Sequence, residues 1–137
     1  MSKICHFGYK PDNLCLFYLE VISLCKINQD LDIHFLCPQG IAMKITLNMV
    51  KENFFNISTF PKKYVTWKTK NCSINHDNKL IILEMENSRG FIKCKINKVL
   101  IFKTFSFSID KVVGVQIIGN GKLKEAIIVN NDLTKFN

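Results

Sequence analysis

Few residues in this chain of 137 have the type and spacing for chemistry. Three histidines stand at positions 6, 34 and 76, and six cysteines at 5, 15, 25, 37, 72 and 94. Zinc would need grouped ligands such as Cys-x-x-Cys or paired His, and neither spacing occurs, so no metal site is expected. Cys72 and His76 lie four residues apart, but a local pair in a polar loop is weak ground for a thiol nucleophile. No Gly-x-Ser-x-Gly, no glycine-rich phosphate loop and no paired carboxylates on one strand can be found, so neither catalysis nor a cofactor is expected. What remains is binding chemistry. His34 and Asn48 sit at outward strand positions with hydrogen-bonding side chains, and Trp67, the single tryptophan, offers a flat apolar face with a polar edge.

Residues of this kind need rigid elements to hold them, and the chain favours strands. Eleven Phe among many Ile and Val favour sheet over helix. No long window repeats its apolar residues at a period of 3.6 between proper caps. A hydrophobic content of 47% with 22% charge places the chain in the ordinary globular class. Its length suits one domain spanning residues 1–137, with an irregular segment over 1–13 and a tail over 130–137.

The longest apolar run, Leu14–Cys25, is interrupted by Glu20. It falls short of the roughly 20 residues that span a bilayer. No small-residue cleavage site follows it, so it reads as a core strand rather than a signal sequence. The expectation is therefore a leaderless cytoplasmic chain, in which an even cysteine count means free thiols rather than staples. Cys15, Cys37 and Cys94 fall inside apolar strands, where a thiol behaves as a small hydrophobe. The sequons Asn56-Ile57-Ser58 and Asn71-Cys72-Ser73 matter only in a secretory context. The formal charge of +8 comes from 18 Lys and one Arg spread along alternating positions, as on solvated faces. The absence of a basic block argues against nucleic acid as partner.

Strands are expected at 14–24, 31–37, 41–50, 53–60, 63–70 and 79–85, with a polar loop over 71–78. Leu31, Ile33, Phe35 and Cys37 should face inward and Asp32 and His34 outward. In the next run Ile41, Met43, Ile45, Leu47 and Met49 form one apolar, inward face, and Ala42, Lys44, Thr46, Asn48 and Val50 form the other. Near the C-terminal end four extended runs follow one another at 91–97, 99–105, 112–118 and 122–129. Asn97-Lys98 gives hairpin spacing, and Gly119-Asn120-Gly121 a strong turn. Many short strands without helical spacers predict an all-β sandwich of two antiparallel sheets.

The order of these features resembles the galectin fold, a jelly roll of two antiparallel sheets. Phe17-Tyr18-Leu19-Glu20-Val21 looks like that family's early core strand, and Asp32-Ile33-His34-Phe35 like the segment with its first sugar-contacting histidine. Ile45-Thr46-Leu47-Asn48 resembles the strand with its sugar-contacting asparagine. Phe91–Asn97, Phe102-Lys103 and Val115–Ile128 resemble its closing strands.

The sugar-binding residues match less well. Members carry His-x-Asn-x-Arg, then an Asn one strand later, then Trp-Gly-x-Glu-x-Arg. Here His34 is followed by Leu36 and Pro38 in place of Asn and Arg. Family spacing puts Phe55 in the tryptophan position, with Ser58 and Phe60 for Glu and Arg; a second register puts Trp67 there instead. Each lost bond to a charged group removes about 1.5–3 kcal/mol, so ordinary galactoside binding should be weak. The resemblance implies a non-catalytic glycan-binding module with an altered site, with His34, Asn48 and an aromatic at Phe55 or Trp67 as candidate contacts. The alternative is a galectin-like scaffold that recognises a protein through Leu36, Pro38 and Phe60. The resemblance also implies glycans or glycoproteins as partners, a homodimer and leaderless export.

Overall fold

Alternating apolar and polar residues make the strands of this protein two-sided, and the apolar sides meet. The computed structural model describes residues 4–6, 14–38, 40–52, 54–61, 72–75, 80–88, 91–105 and 112–130. Among them are eleven strands and no helix. In chain order they are β1 (Ile4–His6), β2 (Leu14–Ser23), β3 (Asp30–Cys37), β4 (Gly40–Lys51), β5 (Phe54–Pro61) and β6 (Cys72–Asn75). These are followed by β7 (Leu80–Ser88), β8 (Phe91–Ile96), β9 (Val99–Phe105), β10 (Gly114–Gly119) and β11 (Gly121–Asn130). One sheet has six strands in the order β1-β10-β3-β4-β5-β6; the other has five, β11-β2-β7-β8-β9. Every neighbouring pair is antiparallel.

The inward rows explain the cohesion. In the six-stranded sheet Leu31, Ile33 and Phe35 pair with Leu47, Ile45 and Met43, and all six are fully buried. Facing them, Phe17, Leu19 and Val21 pair with Met85, Leu83 and Ile81. Phe17 and Phe35 join the sheets edge to face, with centroids 5.6 Å apart. Burying side chains of this size contributes about 1.5–3 kcal/mol each. Cys94 belongs to the same core, where burial pushes its thiol pKa up, and Cys5, Cys25 and Cys37 are also free thiols.

The expected hairpin at Asn97-Lys98 is present, with φ of 48° and 69°. Positive φ at both positions is what a type I′ turn requires. The amide of Ile82 donates to Asn97 Oδ1 at 2.8 Å, pinning this hairpin to β7.

Five expectations need correction. Ile4–His6, within the segment expected to be irregular, pairs with β10 as an edge strand. Cys72–Asn75, expected in a loop, pairs with β5. The third strand begins at Asp30, so Asp30 and Asp32 are paired carboxylates on one strand, contrary to the sequence reading. Ile41 is 40% exposed rather than inward. A bulge causes this last difference: Phe35 pairs with Met43 but Leu36 with Ile41, leaving Ala42 as the extra residue, partly buried against the core. Such an insertion re-aims the side chains beyond it. The strand expected over 63–70 lies outside the described residues; of the tail expected over 130–137, Asn130 instead ends β11 opposite Leu14, and 131–137 lie outside them.

Candidate functional site

The outward rows of β3, β4 and β5 lie side by side because their inward rows are locked in register. Asp30 stands opposite Asn48, which stands opposite Asn56. In the next row Asp32, Thr46 and Ser58 align, and in the third His34, Lys44 and Phe60. Neighbouring strands are about 4.8 Å apart and alternate residues about 6.7 Å apart, so two rows cover roughly the footprint of a sugar ring.

Hydrogen bonds order two of these rows. Thr46 Oγ1 donates to Asp32 Oδ1 at 2.7 Å, and the Asn48 amide donates to Asp30 Oδ1. The turn before β3 fixes this end of the sheet. The amide of Asn28, which has a φ of 68°, donates to the Met49 carbonyl at 2.6 Å. The Met49 amide donates back to the Gln29 carbonyl at 3.1 Å, and the Lys26 amide to Gln29 Oε1 at 2.7 Å. Asn120, in the turn between β10 and β11, donates to the Leu24 carbonyl at 2.7 Å. The Asp30–Asn48 pair therefore stands on a braced end of the sheet.

His34 faces outward between Lys44 and Gln116 of β10. Its Nε2 is shielded from solvent and has no hydrogen-bond partner among the described residues. Burial lowers its pKa below the ordinary histidine range; Lys44 adds to that effect and Asp32 opposes it. Burial at this position thus disfavours the charged imidazole.

The structure separates the sequence-derived site residues. His34 and Asn48 share a face and stand four residues apart along the strand direction, about 13 Å at the backbone, with the Asp32–Thr46 row between them. Phe55 is corrected outright: it is 2% exposed and packs in the core, because its position on β5 faces inward. It offers no ring to a ligand on the outer face. Trp67 lies outside the described residues, and only the backbone of Phe60 is described. Ser58 faces outward beside Thr46. Leu36 is half-buried, Pro38 is exposed in the turn, and Ile41 joins them at the end of the face remote from Asp30.

Sequence reasoning missed the Asp30–Asn48 and Asp32–Thr46 hydrogen bonds. The outward positions of these residues are readable by alternation, but their pairing depends on the bulge at Ala42. Among the described residues no group of three or more His, Cys, Asp or Glu is placed to hold a metal ion, and no helix is long and apolar enough to cross a membrane. A separate cleft of about 770 Å³ opens where β1 and β10 approach β11. Apolar Ile4, Leu24, Ile117 and Leu123 line much of it, with Cys5 and Lys122.

Solved structures share this architecture. Galectin LEC-6 of Caenorhabditis elegans aligns with a TM-score of 0.63 at 13% identity, over 95% of this chain and 91% of its own. A single mutant of congerin II aligns at 0.64 and 7%, over 94% and 100%. A tetrameric galectin from the ball sponge Cinachyrella aligns at 0.60 and 9%, over 93% and 99%. No family model matches the sequence. No curated protein matches it either. At these identities the likeness establishes the fold: this is a β-sandwich with the galectin arrangement of strands.

Proposed function

We propose that the chain is a non-catalytic glycan-binding module of galectin type, a single unit spanning residues 1–137, whose groove differs from the family's galactoside site. The observation that supports this reading is the pair of ordered rows on the outer face, Asp30–Asn48 and Asp32–Thr46. Each carboxylate has room for several hydrogen bonds and uses one of them on its neighbour, so it can accept more from sugar hydroxyls. Charge-assisted bonds of this type are the stronger ones and offset part of what the missing Arg and Glu would contribute. Asn56 and Ser58 extend the polar surface, and His34 marks its far end.

The test is a thermal-unfolding shift of the purified chain against millimolar lactose and a panel of glycans. A ligand at 100 times its dissociation constant adds about 2.7 kcal/mol, which raises the midpoint by several degrees. A shift that disappears in Asp32→Ala supports the reading. A flat response across the panel defeats it.

A second reading has its own observation. The bulge turns Ile41 outward beside Leu36, and Pro38 follows in the turn, forming an apolar end that a protein partner would cover. Under that reading glycans leave the midpoint unchanged and Ile41→Asp abolishes partner capture. Self-association also belongs to the proposal, since the sponge neighbour is tetrameric; sedimentation velocity tests it. Cytoplasmic residence with leaderless export is proposed on the resemblance alone, and fractionation of a tagged chain tests it.

A further inference from the structure

The chain's charge of +8 suggests a taste for anionic ligands, but the groove points the other way. Resting on the glycan-binding reading above, we infer that the groove selects neutral, hydroxyl-donating glycans and excludes those with a sialyl or sulfate group over its Asp30–Asp32 end.

The reasoning follows donors and acceptors. At this end Thr46 Oγ1 and the Asn48 amide direct hydrogens to the carboxylates of Asp32 and Asp30. The capacity left on those carboxylates is purely accepting. A sugar hydroxyl supplies the hydrogen they need. A sialyl carboxylate or sulfate is ionised at neutral pH and brings only acceptors, together with a charge that two fixed carboxylates repel. The carboxylates are two residues apart on one strand face, about 6.7 Å, so an anion seated between them cannot escape both. Lys44 stands one row away, opposite His34, whose partly buried imidazole disfavours a positive charge. Distant lysines add a diffuse attraction that salt screens beyond roughly 8–10 Å, whereas the carboxylates act at contact.

The experiment titrates the full chain with N-acetyllactosamine and its 3′-sialyl and 3′-sulfo forms by calorimetry, at about 50 and 150 mM salt. The wild type should bind the neutral sugar at least about tenfold more tightly than either anionic form, and more selectively at lower salt. Asp30→Asn with Asp32→Asn keeps an acceptor for Asn48 and Thr46, and an unchanged thermal midpoint verifies its fold. It should narrow the ratio to about threefold or less. Glu20→Gln removes one carboxylate from the opposite sheet and should leave the ratio intact, separating local repulsion from net charge. Equal or tighter binding of an anionic form overturns the inference while leaving the glycan reading standing. So does a ratio that the double substitution does not move. Binding of no member defeats both.

Discussion

The outer faces of the two sheets handle their carboxylates in opposite ways. On the five-stranded sheet, Lys124 ion-pairs with Glu20 at 3.6 Å and Lys98 with Glu84 at 3.5 Å. The Tyr18 hydroxyl also donates to Glu20 at 2.9 Å, and that bond, followed by desolvation, raises the tyrosine pKa. On the six-stranded sheet, Asp30 and Asp32 meet an amide and a hydroxyl. Lysine on the first face cancels charge, whereas a neutral donor on the second orients a carboxylate and leaves its charge in place. On the first face Glu20 and Glu84 are matched within the sheet, and on the second Asp30 and Asp32 keep hydrogen-bonding capacity for something else.

Both faces hang on one core, so the comparison breaks most completely from inside. Phe35→Ala removes the ring that meets Phe17 and lies directly beneath the β3 rows. It should cost about 3–5 kcal/mol in denaturant unfolding and erase binding along with the fold. Gly119→Ala is more selective. A Cβ there would sit 2.5 Å from the Asp30 carbonyl oxygen, at a φ of 110° that side chains avoid. The backbone strain alone suggests a loss of about 1–3 kcal/mol. Because the displaced atom belongs to Asp30, glycan affinity should fall further than in a core variant of equal stability. Equal affinities at matched stability would refute that link.

How much of this was legible from residue order depends on where the period of two holds without interruption. The inward rows of β3 and β4, Leu31–Ile33–Phe35 and Met43–Ile45–Leu47, are readable because alternation and burial agree. The Asn97-Lys98 hairpin is readable because its turn needs two residues and the strands on both sides alternate. The site was not, since a single extra residue sets its rows. If the Cys37–Gly40 register ran on without a bulge, Asp32 would face Ile45, which points inward. The bulge at Ala42 advances the register by one and brings Thr46 to Asp32. Nothing in the type of Ala42 announces a bulge. Phe55 misled for a related reason: counting along a family pattern ignores which way a strand residue points, and the alternation of Phe55 with Ile57 puts both inside.

Acid should weaken the six-stranded face through His34. Its folded pKa is lowered, chiefly by burial, so the unfolded chain takes up the proton first as pH falls through about 6.5. The contribution of neutral His34 to stability is therefore full above that value and declines from there toward its folded pKa. Midpoints taken at about pH 7.5 and 5.5 should drop more for the wild type than for His34→Gln. Parallel curves would assign the acid sensitivity to other groups.

Lys124→Ala should have the smallest effect, and that is its use. The Glu20 side chain is 16% exposed but keeps the Tyr18 hydroxyl as partner when the lysine is gone. Lys124 itself is more than half exposed, and ion pairs of that kind contribute about 0.2–1 kcal/mol. Stability should fall by less than about 1 kcal/mol, with the loss shrinking in high salt, and glycan affinity should not move. A change in glycan affinity would mean that the two faces communicate through the core. The distinction between a self-satisfied face and a receptive one would then fail, because a charge on one would be setting what the other binds.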